Sequence, residues 1–228
     1  MEFPKIAIFD FDNTLYEYSK AHNAGTNELH DFLAKELSLD VKEVSKDLEI
    51  SRQKVKNRLG SIASSHSRLL YIMDFMQTQK NTQRATIFLE SEQVYWRAYL
   101  AKSELFEGVH ALLTTLRYGR CKTFLVTDLT SNIQLRKLAW LGLERSFDLI
   151  ITSEQAGGDK ITGKPQQMLL DLVGEIPSNS WTIGDNDGDH LFPDMTLFFK
   201  KQPNGAFSMK SENRYEFSNF DDLRKQVT

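Results

Sequence analysis

The chain has little cysteine, no excess of basic charge, no long hydrophobic run and no low-complexity tract, and each absence excludes something. A single cysteine, Cys121, among 228 residues rules out an intramolecular disulfide and a zinc site built on paired thiolates. Placed at the start of a predicted strand, it reads as a small core residue rather than a reactive thiol. The formal net charge of −3 leaves no cationic excess to release counterions from a nucleic-acid backbone, so no nucleic acid polymer is expected as a partner. No apolar run approaches the length of a membrane span. The N-terminal stretch MEFPKIAIFDFDNT is interrupted by Asp10 and Asp12, unlike a secretory leader. A reducing cytoplasmic setting without membrane attachment is the expectation. The hydrophobic share of 40% and charged share of 26% are those of an ordinary globular protein, long enough for one core domain carrying an insert.

Three textures follow one another along the chain. Lys5 to Phe9 (KIAIF) is a short apolar run that stops abruptly at Asp10, as a buried parallel strand does when it delivers a carboxylate at its end. Residues 17–103 contain no convincing strand. Leu29, Phe32, Leu33 and Leu37 share a helical face, as do Val41, Val44, Leu48, Val55 and Leu59, and further amphipathic segments surround Leu69 to Met76 and Phe88 to Tyr99. About four helices are expected there, with Arg52, Lys54, Lys56 and Arg58 on the solvated side. From residue 104 onward strands and helices alternate: helix from Gly108 to Tyr118, strand TFLV, helix from Ser131, strand LIIT, helix from Pro165, strands WTI and TLFF, then a short strand near Tyr215 and a helix from Asp221. That alternation predicts an α/β fold, a parallel sheet in a three-layer Rossmann-like core, with the all-helical stretch inserted after the first strand. The core would comprise residues 1–16 and 104–228. Ligands of such sheets bind beyond the carboxyl ends of the strands.

Four polar clusters fall at those ends. The first is Asp10-Phe11-Asp12-Asn13-Thr14-Leu15. A carboxylate can attack phosphorus and leave again, splitting one displacement into two, and a second carboxyl two residues on can serve as acid and then as base. An Asx turn is the plainer reading of an isolated Asp-x-Asp. The second is Thr127 with Asp128, before a helix whose start Thr130 or Ser131 could cap. The third is Gly163-Lys164-Pro165, where a lysine could neutralise a phosphoryl group; Lys160 competes for that task. The fourth, Gly184-Asp185-Asn186-Asp187-Gly188-Asp189, offers clustered carboxylates to a hard cation. It is not a calcium loop, because the position that needs glutamate holds Thr196.

Taken in order, these pieces resemble the haloacid dehalogenase superfamily over essentially the whole chain. DFDNTL matches its first motif, Asp-x-Asp-x-Thr, and the helical insert of residues 17–103 resembles a C1-type cap, a mobile lid. The resemblance implies a Mg²⁺-dependent phosphatase in which Asp10 is nucleophile and metal ligand. It implies that Asp12 is acid/base and binds the metal through its backbone carbonyl, that Thr127 holds a phosphoryl oxygen and that Lys164 steadies Asp10. Asp185 would be the third metal ligand, with Asp189 supporting the site and Asp187 its rival. An acid at position 12 favours phosphate esters over carbon–halogen bonds. Two departures stand out: motif two usually continues with Asn where this chain has Asp128, a candidate substrate contact, and His190 sits where capped members often place the second acid of motif four.

The lid selects the leaving group in this superfamily. His66 and Arg68, in a small polar segment between two predicted helices, are the candidate substrate-binding residues there, with an ordinary capped turn as the alternative. The expected partner is a small phosphorylated metabolite, a sugar or sugar-acid phosphate. Pyrimidine nucleotides, a sugar phosphomutase and a catalytically idle binding protein are the alternatives. Tyr71, Phe75, Tyr95 and Trp96 could stack a base but read better as bundle core.

Overall fold

The computed structural model describes residues 1–79, 85–201 and 206–227, and the chain forms two compact units, Met1–Glu17 with Glu104–Thr228, and Tyr18–Ser103. The first is an α/β unit. Its strands are β1 (Ile6–Phe9), β2 (Lys122–Thr127), β3 (Leu149–Thr152), β4 (Trp181–Gly184), β5 (Thr196–Lys200), β6 (Ser208–Ser211) and β7 (Arg214–Phe217). They form one sheet in the order β3-β2-β1-β4-β5-β7-β6, parallel throughout except for β6 against β7.

The four-residue strand IAIF is buried at every position, which both faces of a parallel sheet require when helices cover them. Ile6 and Ile8 pack with Phe124, Val126, Ile151, Leu169 and Met195 in one cluster. Each such buried side chain contributes about 1.5–3 kcal/mol. The sheet grows outward from β1 in two directions, through β2 and β3 on one side and β4 and β5 on the other. The strand order therefore reverses beside β1, the place where sheets of this type open a crevice. Strand β6 escapes the sequence pattern because Ser208, Met209, Lys210 and Ser211 are largely exposed edge residues with no apolar alternation.

The second unit consists of four helices among the described residues, α1 (Tyr18–Leu37), α2 (Val41–Leu59), α3 (Arg68–Thr78) and α4 (Ala85–Ala101). Helix α2 is capped by Asp40, which accepts from the Lys42 amide at 2.8 Å, and ends at Gly60 with φ 69°. Val44, Leu48 and Val55 turn inward, whereas Val41 at the first helical position is exposed. Tyr71, Phe75, Tyr95 and Trp96 are all buried in the bundle. Helices α5 (Val109–Tyr118), α6 (Ser131–Trp140), α7 (Ser153–Ala156), α8 (Lys164–Val173) and α9 (Phe220–Arg224) belong to the α/β unit. None of the described helices is long and apolar enough to cross a membrane.

Helices α1 and α4 approach closely at Gly25, where an added Cβ would stand 2.8 Å from the Tyr95 carbonyl oxygen and 2.9 Å from its ring. Backbone cannot yield as a flexible side chain can. Gly25→Val is expected to destabilise the helical unit by about 2 kcal/mol, read as a lower urea midpoint; an unchanged midpoint would show that the helices are free to separate there.

Candidate active site

Asp10 follows β1 directly, its amide donating to the Ile183 carbonyl at 2.9 Å, so the nucleophile candidate is fixed to the sheet at the strand reversal. The chain then turns through Asn13, whose φ of 64° is tolerated by asparagine better than by most residues. The turn brings Thr14, fully buried, back under Asp10. Its hydroxyl donates to Asp10 Oδ2 at 2.8 Å and lies 3.4 Å from Asp185 Oδ1.

Asp185 sits just beyond β4, and Asp189 folds back from the short turn Asp187–Asp189. Asp189 Oδ2 accepts from the amides of Asp185 and Asn186 at 3.2 and 2.9 Å. Gly184 makes this return possible, because a Cβ there would stand 2.4 Å from that of Asp189. Carboxylate oxygens of Asp10, Asp185 and Asp189 all lie within 4.8 Å of one another. Asp187 faces away and pairs with Arg214 at 2.7 Å, so Asp189 is the acid that reaches the cluster.

The lysine that enters this cluster is Lys160. Its Nζ is 2.6 Å from Asp10 Oδ1 and also bonds Asp189. Lys164, to which the resemblance assigned this place with Lys160 as its rival, is corrected by the structure: its side chain is exposed and its Nζ donates to the Gly157 carbonyl at 2.8 Å. The reason is local. Lys164 opens α8 after Gly163, with φ 76°, whereas Lys160 begins a short 3-10 turn whose amide is bound by Asp128 Oδ1 at 2.9 Å. Asp128, expected at the substrate, thus spends one carboxylate oxygen on holding the Lys160 loop.

Thr127 ends β2, buried, with its hydroxyl accepting from Gln134 Nε2 at 2.7 Å. The same amide donates to the Asp128 carbonyl at 2.7 Å. Neither expected capping bond forms at the next helix: Thr130 stands at the N-cap position without a side-chain bond, and the Ser131 amide is taken by Glu154 at 2.8 Å. Asp12 is gripped by partners that sequence reasoning did not find. Lys137 Nζ lies 2.9 and 3.0 Å from its two oxygens, Tyr16 donates its hydroxyl, and Gln134 reaches it at 3.5 Å. Gln134 and Lys137 are one turn apart on α6, and a polar pair at that spacing on the buried side of an amphipathic helix was the available signal.

The electrostatics divide the two motif-one acids. Burial, then repulsion from Asp189, pushes Asp10 up to about 8 despite Lys160. Burial and Asp189 push Asp185 up to about 6. For Asp12 burial works upward too, but Lys137, Tyr16 and Gln134 outweigh it and hold the carboxyl below its ordinary value. Lys160 is held above its ordinary value because Asp10 and Asp189 outweigh its burial. Three clustered carboxylates against one ammonium leave an excess of negative charge that oxygen-seeking divalent cations are suited to offset. The residues present therefore fit a divalent metal.

His66 and Arg68 belong to the helical unit. The His66 carbonyl, not its ring, accepts from Arg68 Nη1 at 2.8 Å, and Ser67 caps α3 through the Leu70 amide. Cys121 is buried, and burial pushes its thiol up to about 12, as befits a core residue.

Residues 7–191 match the haloacid dehalogenase-like hydrolase family. The chain is 32% identical over 181 residues to a ribulose-1,5-bisphosphate 5-phosphatase of Halopiger xanaduensis, covering 78% of this chain and 75% of that one. Among solved structures it is similar to a HAD phosphatase from Thermococcus onnurineus (TM-score 0.70, 20% identity, 98% and 97% of the two chains). It is also similar to a 2-haloacid dehalogenase from Pseudomonas syringae (TM-score 0.74, 19% identity, 97% of each chain). A magnesium-bound HAD-hydrolase from Bacillus subtilis superposes with TM-score 0.69 at 15% identity over 98% of each chain. With a strand-end nucleophile candidate, a buried acid cluster and a match over most of its length, the chain belongs to the haloacid dehalogenase-like hydrolases.

Proposed function

We propose that this chain is a Mg²⁺-dependent phosphomonoesterase that hydrolyses a small phosphorylated metabolite, a sugar or sugar-acid phosphate, through an aspartyl-phosphate on Asp10. The observation that carries this reading is the pairing of Asp10 with Lys160 at 2.6 Å inside an acid cluster, with a second carboxyl at Asp12 held by a separate lysine. Superposition alone does not choose between carbon–halogen and phosphate-ester cleavage, since a dehalogenase and a phosphatase both fit. Asp12 favours the ester, whose leaving alkoxide needs a proton. The named activity of the Halopiger relative adds support for a phosphorylated sugar. Phe75 and Trp96 are buried and absent from the lining of the helical unit's cavity, which supports a sugar over a stacked nucleotide base there.

In this reading an Asp10 oxygen forms a bond to phosphorus as the bond to the leaving oxygen breaks, and Asp12 delivers the proton that oxygen requires. Water then attacks the aspartyl-phosphate, gives its proton to Asp12 and releases phosphate, freeing Asp10. Asp12 is ionised in its pairing with Lys137, so it must take up a proton before the first step, and each cycle works against that pairing. Lys160 orients Asp10 and neutralises part of the phosphoryl charge. The Thr127 hydroxyl, which accepts from Gln134, donates its own proton to a phosphoryl oxygen. The carboxylates of Asp10 and Asp185 and the backbone carbonyl of Asp12 would hold Mg²⁺, which lets an anionic phosphate approach an anionic nucleophile.

Three outcomes test the assignment. Asp10→Asn is expected to abolish Mg²⁺-dependent phosphate release from a panel of sugar phosphates, sugar-acid phosphates, nucleotides and an aryl phosphate; retained release would remove Asp10 as nucleophile. Lys160→Met is expected to lower kcat by about 10²-fold or more, whereas Lys164→Met stays within about threefold; the reverse order would restore Lys164 to the site.

The third concerns metal and pH. In the metal-free protein Asp10 and Asp185 have raised folded-state values, about 8 and about 6, so the folded state binds more protons than the unfolded chain. Their contribution to stability therefore falls as pH rises from the ordinary carboxyl range, about 4, to about 8. Mg²⁺ competes with those protons. The rise in melting temperature on adding Mg²⁺ is expected to be larger at pH about 8 than at pH about 5, and an increment independent of pH would place the metal elsewhere.

A further inference from the structure

The helical unit encloses a cavity of about 280 Å³ between α1, α2, α3 and α4, largely apolar in its walls. At its side lies Arg68, 8% exposed. A guanidinium this deep normally faces a carboxylate, because a buried charge is paired or costly. Arg68 has no such partner among the described residues. It donates to the His66 carbonyl at 2.8 Å, to the Tyr18 hydroxyl at 2.6 Å and to the Tyr95 hydroxyl at 3.1 Å, which occupies three of its five N–H groups with neutral oxygens. The other ionisable groups on the cavity are His22 and His30 from α1 and Glu49 and Arg52 from α2. Glu49 and Arg52 cancel each other in a pair at 2.7 Å. Arg52 was expected on the solvated side of α2 and instead lines this cavity.

His22 shares the Tyr95 hydroxyl with Arg68, at 2.7 Å from its Nδ1. With Tyr95 accepting from Arg68, its own proton points to His22, and the ring is neutral: burial, then the Arg68 charge, push it down to about 4. The guanidinium also lies 5.1, 5.8 and 5.9 Å from the ring centroids of Tyr95, Trp96 and Tyr71, so aromatic faces offset part of its charge while no carboxylate among the described residues does.

We propose that this cavity is a binding site for a small molecule carrying one carboxylate or phosphate group, which docks against Arg68. The assignment rests on the helical unit alone and does not depend on the chemistry proposed for the α/β unit. The anion completes the charge pairing that the chain leaves open, and the apolar walls take the carbon body of the ligand.

The test uses histidine ring signals in NMR spectra of the full chain with metal removed, where five histidines keep assignment simple. Inorganic phosphate, and separately acetate, are expected to move the His22 signals saturably and to raise its titration midpoint, while His110 and His190 in the α/β unit stay still. Arg68→Lys, which keeps the charge but not the planar fork, is expected to weaken the response by about tenfold. Because Arg68 also ties the bundle together, Ser45→Glu on the cavity wall gives a second reading: a tethered carboxylate is expected to displace the His22 signals without ligand and to remove the response to phosphate. No saturable change at His22 in the parent chain, or an undiminished response in either variant, overturns the site.

Discussion

The ammonium of Lys160 is the charge on which the core site depends. Three carboxylates converge at the rim of the sheet, and two of them share this one buried cation. Without it, Asp10 and Asp189 would stand as like charges in a place where water cannot screen them. The surrounding structure serves that cation closely. Asp128 binds the Lys160 amide, Gly184 leaves room for Asp189 to return, and Thr14 restrains the far oxygen of Asp10. Even so, one positive charge does not balance three acids. The remaining excess raises Asp10 and Asp185 and gives a divalent cation its reason to bind.

Asp12 shows how two carboxyls two residues apart come to differ. Strand β1 aims Asp10 into the acid cluster, and the following turn aims Asp12 at α6. There Lys137 and Tyr16 hold it ionised, while Asp10 is pushed the other way by its neighbours. The two values are separated by environment and not by residue type, and in the metal-free protein the separation runs against the proposed roles: Asp10 must lose its proton to attack, which a bound cation favours, and Asp12 must gain one against Lys137. Lys137 is nearly fully buried, so its pairing with Asp12 is a fixed part of the α/β unit and not a surface contact of small worth.

The sequence made the strand-end acids legible because a run of apolar residues ending in Asp is hard to read otherwise. Asp10, Asp185 and Asp189 come together from three segments at the sheet rim. The lysine was left between Lys164, which the resemblance favoured, and Lys160, its rival, because the bond from the Lys160 amide to Asp128, 32 residues away in the chain, holds the loop that brings Lys160 inward and is not legible locally. Lys137 and Gln134 were missed for a similar reason. On α6 they share the buried face with Ile133 and Leu138, so the local pattern shows a polar pair among apolar residues, and only partners distant in the chain give that pair its place at Asp12 and Thr127. Local pattern reports which residues share a face; it does not report what that face meets. The edge strand β6 was lost because its residues have almost no burial to leave a pattern.

Among the described residues, both compact units hold a buried charge without a full complement of opposite charge, and the signs are opposite. In the α/β unit the excess is carboxylate; in the helical unit it is the guanidinium of Arg68. Stability alone would not keep either, since replacing buried charge by packed apolar groups is often neutral or favourable. Arg68 could have been met by a glutamate from α1 or α4, and the acid cluster by a second lysine. Instead neutral phenols, aromatic faces and a carbonyl surround the arginine, and a single lysine bonds two of the three acids. Under the two proposals each open charge is completed by something the protein binds: the acids by a cation, the arginine by an anion. The cost in stability is then recovered in the bound state, where binding raises the stability of the fold by mass action.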